Sequence, residues 1–392
     1  MTALMKKNIL FGILFTSIFS PIIFFMMGLP MILQMKGFDA SLIGIFQIVG
    51  IPTVLKFLLS PPVDKIVFEK NHYKKWILLA GIIYVVLLFS ISFLSLEDNI
   101  YLVFTAILIT AIISTFIDIP LNALAIKVFD REEHISAGSY KISAYSLSGL
   151  LGGGVFLLFY NHLGWNATFI LMAIMVVGSL IVLYFIEELD TKIEEKKVSF
   201  KTIVSFFKQK NIGIWIFLLS FYFAFISAIF VFLKPYFISK GITPDNVAIY
   251  VGIYGGIIGI LGGILASKIS VRFSKKTLLI IFMMFNIIST FILIITDKFE
   301  LNLSYLVAVV TFISLAISLS SAIIFSMIMD YSRDNSRAVD YAVQSSLFSF
   351  IRIISAVIAG IIVSIFGFGG MFLFEVVGML LVMLGIYLFY KK

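Results

Sequence analysis

The sequence predicts an all-α membrane protein of twelve transmembrane helices in two six-helix bundles, and three observations carry that prediction. Of 392 residues, 61% are hydrophobic and only 13% charged, against about 45–50% and about 25% in a soluble domain. Mean hydropathy is +1.12, so the surplus apolar surface faces lipid. Apolar stretches long enough to cross about 30 Å of hydrocarbon recur twelve times. One long charged connection, EELDTKIEEKKVSFKTIVSFFKQKN at 187–211, divides six from six.

In order, the predicted spans are 9–33, 41–60, 76–94, 100–126, 139–160, 167–187, 212–238, 247–267, 277–296, 303–329, 339–366 and 369–390. The first follows Lys6 and Lys7 without a small-residue cleavage site, and reads as a retained helix. Residues 1–190 form the expected N-terminal bundle, 191–210 a cytoplasmic linker and 211–392 the C-terminal bundle. Within the linker, KIEEKK suits a short surface helix and VSFKTIVSFFKQ an interfacial one. HYKKW (72–76) after the second span and VRFSKK (271–276) after the eighth echo one another, as two related bundles would.

With the N-terminus inside, 23 of the 29 basic residues fall in cytoplasmic segments and only Lys36, Lys240 and Lys298 in external loops. That asymmetry is the positive-inside pattern, and it predicts a multi-pass protein of the cytoplasmic (inner) membrane with both termini cytoplasmic. The +8 net charge is thereby read as topology, with no nucleic-acid partner. The expected partners are the lipid bilayer and a small-molecule substrate, the chain acting as a monomer. No cysteine is present, which removes thiol chemistry and cysteine-held metals. No HExxH motif occurs and His72, His134 and His162 sit in or near predicted loops, so no metal or cofactor is expected.

Three basic residues lie deep inside spans, Lys56, Lys234 and Arg352, while Lys141 stands at the cytoplasmic edge of the span 139–160. Lys56, in IPTVLKFLLSPPVDK (51–65), precedes Pro61, Pro62 and Asp64, which end the second helix. In FIDIPLN (116–122) Asp118 reaches a similar depth, and its short stem cannot snorkel as lysine's can. A buried ion needs a partner or a polar cavity, so Lys56 and Asp118 are expected to pair. Asn122, four residues on, lies on the same helix face, and Pro120, between them, frees a carbonyl in the helix. These residues are candidates for coupling or gating.

Arg352 lies near the middle of the eleventh span and stays charged, so it suits an anion rather than a proton relay. Gln344 and Tyr341 approach the same side at helical spacings and complete a surface for an oxygen-rich, anionic solute. Lys234, before Pro235, and Lys141 are further candidate substrate contacts. The glycine runs GLLGGG (149–154) and GGIIGILGG (255–263) have no GK[ST] or strand context and read as helix-packing seams along which the halves slide.

Taken together, LKFLLSPPVDK (55–65), SAGSYKISAYSLSGLLGGGVFLLFYNHLGW (136–165) and RAVDYAVQSSL (337–347) resemble the corresponding stretches of the AmpG-like permeases of the major facilitator superfamily. That group includes muropeptide importers, acetyl-CoA transporters and siderophore permeases of the rhizobactin and pyochelin type. The resemblance implies a major facilitator fold with a gate contact at Asp64, alternating access around a central cavity, uptake, and a proton or ion gradient as drive. Asp340, Tyr341 and Gln344 look closest to the siderophore permeases, which implies a ferric siderophore or similar polar natural product as substrate. A muropeptide, efflux of an amphiphilic drug, and a non-transporting sensor or scaffold are the alternatives. Lys141 stands where many relatives carry a Gln-containing stretch, and PPVDKIVFEKNHYKK departs from the superfamily's usual loop. An enzyme is not expected, because Asp118 has no nucleophile or base beside it in the sequence pattern.

Overall fold

The computed structural model describes residues 3–59, 62, 63, 66, 68–129, 134–188, 204–209, 212–270, 272–297, 303–333 and 337–390. Among the described residues it is all helical. Nine helices are long and apolar enough to cross a membrane, and a shorter apolar helix covers Ala40–Val54. Two of the nine are double. Gly164 (φ 79°) breaks Ser143–Phe185, and Gly367 (φ 70°) breaks Asp340–Phe389. A left-handed φ favours glycine, which has no Cβ to clash. Divided there, the described residues form twelve apolar helices, consistent with the twelve predicted spans, of which α2 is the short one: α1 (Leu4–Met35), α2 (Ala40–Val54, resumed at Lys56–Leu59), α3 (His72–Ile91), α4 (Ile100–Val128), α5 (134–163), α6 (165–185), α7 (Ile212–Ser239), α8 (Pro244–Ala266), α9 (Lys275–Ile295), α10 (Leu303–Asp330), α11 (337–366) and α12 (368–389).

Side chains that satisfy orphan backbone donors set several helix starts. Asn99 accepts from Leu102 N (3.0 Å) to open α4, and Ser274 accepts from Thr277 N (3.3 Å) to open α9. After the Gly164 turn, Trp165 Nε1 donates to Ile91 O (2.9 Å), which ties the start of α6 to the end of α3. At the far end of α6, Glu188 accepts from Tyr73 N, Lys74 N and Lys127 Nζ at 3.0–3.2 Å. Its carboxylate therefore meets the positive N-terminus of α3.

Two compact units result, residues 1–29 with 49–195 and residues 30–48 with 196–392. Residues 30–48, which the sequence assigns to the first bundle, group with the second because α2 lies directly on α11. A Cβ on Gly360 would stand 2.5 Å from Ala40 O, and one on Gly44 2.7 Å from Ala356 O. Beside this crossing, Ser364 Oγ donates to the Asp39 carboxylate, which also accepts from Ser41 N (2.8 Å) and Ser41 Oγ (2.6 Å). The Ser364 hydroxyl first, then Ser41, hold the Asp39 carboxyl below the ordinary carboxylate range.

The glycine runs do permit close backbone approach, but inside each unit. In the first unit, a Cβ on Gly152 would stand 2.6 Å from both Ser20 O and Phe24 N. There the π-helical turns Phe24–Gly28 of α1 and Leu151–Val155 of α5 meet. In the second, Gly255 and Gly262 of α8 face Ser314 and Ser318 of α10. The seams thus join neighbouring helices of one unit. Large apolar side chains on the outer faces, such as Leu79, Ile82 and Val86 of α3 and Leu381, Leu384 and Leu388 of α12, are exposed, as lipid-facing surfaces require.

Candidate functional site

In the first unit, α4 carries the central carboxylate. Lys56 Nζ donates to Asp118 Oδ2, so the two intramembrane charges pair as the sequence predicts. Asn122 Nδ2 donates to Asp118 Oδ1 (2.7 Å) and to Asp118 O (2.6 Å). The second of these bonds uses a carbonyl near the break in the ladder left by Pro120. Asn122 Oδ1 in turn accepts from Lys141 Nζ of α5 at 2.5 Å. A continuous polar row therefore runs Lys56, Asp118, Asn122, Lys141. Its ionised groups are two ammoniums and one carboxylate, so the row carries an unbalanced positive charge.

Lys141 is the end of the row that meets open space. Its Nζ lies 5.1 Å from the Phe15 ring centroid and 5.8 Å from that of Tyr145, both within cation–π range. A cavity of about 250 Å³ is lined by Lys141 and Asn122 together with Asn8, Phe11, Phe15 and Tyr140. Aromatic walls with a cation and two amides can hold a polar solute by stacking, by hydrogen bonds and by charge.

In the second unit, the Arg352 guanidinium stands 5.6 Å from the Phe223 centroid and 5.8 Å from that of Phe348. Phe223 and Phe348 contact each other at 5.2 Å, so the cation rests on an aromatic pair. Its Nε is buried and has no hydrogen-bond partner, and among the described residues no carboxylate forms an ion pair with it. Arg352 is thus a second intramembrane cation without a balancing acid.

Gln344 is taken up by other partners. Gln344 is fully buried; its Oε1 accepts from Trp215 Nε1 (2.6 Å), and its Nε2 donates to Asp340 O, Ile328 O and Ser332 Oγ at 3.0–3.1 Å. Both N–H donors of that amide are thus committed inside the protein, and its burial keeps it from a solute. Tyr341 is 46% exposed. Asp340 is held by Arg333 through Nε–Oδ2 and Nη2–Oδ1, both 2.7 Å, a bidentate pair of the strong kind. Arg333 Nη1 also donates to Ser205 Oγ (2.8 Å). Asp340 and Gln344, two of the three residues that suggest a siderophore permease, are here structural ties between α7, α10 and α11. Helical spacing cannot reveal this, because Arg333 comes from the preceding loop and Trp215 from a helix more than a hundred residues earlier.

Lys234 is buried within α7, and Asp64 lies outside the described residues. Sequence reasoning passed over Glu375, the one acid in the predicted span 369–390, which is 1% exposed. Its signal was available: a carboxylate inside an apolar span, the same criterion that singles out Asp118. Among the described residues no group of three or more His, Cys, Asp or Glu side chains could hold a metal ion.

The apolar helices of the described residues, with charges among them, define a multi-pass membrane protein. Residues 9–356 match the family described as the Major Facilitator Superfamily, and the chain belongs to that superfamily. Its curated relatives include the Rickettsia felis protein named AmpG 4, 24% identical over 398 residues and covering 96% of this chain and 95% of the relative. The anhydromuropeptide permease of Escherichia coli K12 is 27% identical over 212 residues, 50% of this chain and 42% of the permease. Among solved structures, the nucleoside transporter NupG superposes with TM-score 0.72 at 14% identity, covering 100% of both chains. A bacterial homologue of the human lysosomal transporter Spinster gives 0.74 at 13%, over 98% of this chain and 95% of that one. These two likenesses show the fold. The protein is a transporter of the major facilitator type.

Proposed function

We propose that the protein is a secondary active importer of the inner membrane, driven by a proton or ion gradient. Its proposed substrate is an anionic, oxygen-rich solute of the anhydromuropeptide class, a sugar–peptide fragment of peptidoglycan. The observation that carries the reading is the surplus of cations within the spans: Lys141 ends a row with one carboxylate for two ammoniums, and Arg352 has no acid partner among the described residues. An unbalanced buried cation is expensive, and a carboxylate-bearing solute would offset it. Aromatic rings beside both cations, Phe15 and Tyr145 at Lys141 and Phe223 and Phe348 at Arg352, suit the apolar faces of a sugar. The names of the relatives point to the same class of substrate. For the siderophore alternative no such support exists, since Asp340 and Gln344 are committed to Arg333 and Trp215.

The test is thermal stabilisation of the purified protein by a matched panel of anhydromuropeptides, ferric siderophores, their iron-free forms and acetyl-CoA. A ligand at a hundred times its Kd stabilises by about 2.7 kcal/mol through mass action. Dose-dependent stabilisation by an anhydromuropeptide, lost in Arg352→Gln or Lys141→Met, is expected. Stabilisation by a ferric siderophore alone would overturn the substrate assignment.

A further inference from the structure

We propose that Glu375 of α12 is a protonated carboxyl in this conformation and is the group that binds and releases the transported proton. Its role in coupling rests on the transport reading above; its protonation does not.

The argument starts from position. Glu375 lies on the buried face of α12 with Met371, Phe372 and Met379, while Leu373, Val377 and Leu380 cover the exposed face. Counting from the Gly367 turn at the helical rise of about 1.5 Å per residue, it lies roughly 10 Å into the span, inside the hydrocarbon region. Its Oε2 is buried and accepts no hydrogen bond from any described residue.

The surroundings explain why. α12 runs antiparallel to α7, with contacts from Phe225 to Phe374 (6.4 Å between centroids) and from Tyr236 to Phe372 (5.1 Å). A Cβ on Gly378 would stand 2.2 Å from the Phe225 ring. These contacts place Glu375 opposite the buried stretch Ser227, Ala228 and Ile229, in which the one hydroxyl, that of Ser227, donates to Ala224 O (2.7 Å).

The titratable and charged groups on the neighbouring helices are few. On α7 they are Tyr222, whose hydroxyl donates to Leu279 O (2.9 Å), Lys234 and Tyr236. By the contact register Lys234 sits more than a helical turn from the level of Glu375, and no ion pair joins them. At the ends of α9, Lys275 pairs with Asp330 of α10, Lys276 donates to Tyr387 O (3.3 Å), and Asp297 pairs with Lys240 (2.9 Å). Tyr305 is at the start of α10, where it is exposed. On α11, Asp340 belongs to Arg333, Tyr341 is exposed and Arg352 stands on Phe223 and Phe348.

Among the described residues no cation or donor therefore meets Glu375 Oε2, and an ion there would be desolvated without compensation. Carrying a proton removes that penalty. When water reaches the site, the O–H bond breaks, the electron pair stays on the carboxylate oxygen and the proton leaves as hydronium. Reversal of the step reloads the group.

The test uses the full-length protein and the substitutions Glu375→Gln and Glu375→Asp. Infrared spectra of the wild type at neutral pH should show a protonated-carboxyl stretch that Glu375→Gln removes. Because Gln has the shape of the protonated acid, that variant should unfold at the wild-type temperature. In proteoliposomes it should lose gradient-driven accumulation of the anhydromuropeptide yet keep counterflow, and Glu375→Asp should restore accumulation in part. A spectrum unchanged by Glu375→Gln, or a Glu375→Gln protein that unfolds well below the wild type, would show that the group is ionised and paired, and would overturn the proposal. Accumulation at the wild-type level in Glu375→Gln would overturn its role in coupling. Should the wild type itself carry no anhydromuropeptide, the transport reading fails, and the infrared arm still decides whether Glu375 holds a proton.

Discussion

Removing Lys56 should destabilise the protein more than removing Asp118, although the two form one ion pair. The side chain of Asp118 is 2% exposed and that of Lys56 36%. Lys56→Met leaves a buried carboxylate whose remaining support is the Asn122 amide at 2.7 Å and, beyond it, the Lys141 ammonium. Breaking a buried pair in this sense costs about 3–5 kcal/mol, and the surviving amide bond places the expected loss near the lower figure, about 3 kcal/mol. Asp118→Asn leaves an ammonium on a flexible stem that can swing to a polar surface. It forfeits a partly exposed pair worth up to about 1 kcal/mol and keeps an oxygen able to accept from Asn122. Replacing both partners removes both charges, so Lys56→Met with Asp118→Asn should recover much of the loss caused by Lys56→Met alone. The assay is equilibrium unfolding in mixed micelles, followed by the fluorescence of the three tryptophans. An Asp118→Asn cost equal to or above that of Lys56→Met, or a double variant whose loss is the sum of the two, would refute the reasoning.

Three further outcomes follow from the same structure. Gly152→Val should abolish the folded protein, because its Cβ would stand 2.6 Å from the backbone of α1, whereas Gly149→Ala, with nothing within 4 Å, should leave size-exclusion profiles unchanged. Gln344→Ala orphans Trp215 Nε1 and should lower stability by about 1–3 kcal/mol, read as a shift in the unfolding midpoint, without changing ligand preference. Asp39 titrates below its unfolded value in the folded protein; its contribution to stability is therefore present above the unfolded pKa and is lost as pH falls through the lower folded one. In Ser364→Ala that acid-side loss should begin at higher pH, measured by carboxyl NMR of labelled aspartate.

The spans were legible because lipid demands long apolar runs, and such runs leave no ambiguity of period or length. The double helices were legible as separate spans, 139–160 from 167–187 and 339–366 from 369–390, while the turns at Gly164 and Gly367 come from the structure. Asp118 and Lys56 could be paired from sequence because each is costly alone at one depth. Lys141 could be singled out but not placed: its partner Asn122 lies on another helix, and only packing shows that the amide faces α5. Gln344 and Tyr341 were read from periodicity on α11 alone, which is blind to the loop that brings Arg333 and to the helix that brings Trp215. The grouping of residues 30–48 with the second unit depends on Gly44 meeting Gly360, a tertiary contact with no trace in local composition.

The central claim is that unbalanced cations in the spans bind an anionic sugar–peptide solute for transport. Its most direct test is uptake of a labelled anhydromuropeptide into proteoliposomes under an imposed proton gradient, by the wild type, Arg352→Gln and Lys141→Met. Concentrative uptake by the wild type, with KM raised in each variant and an uncharged analogue carried poorly, is the predicted result. Uptake at the wild-type KM in both variants, or equal transport of the charged and uncharged solutes, would contradict it.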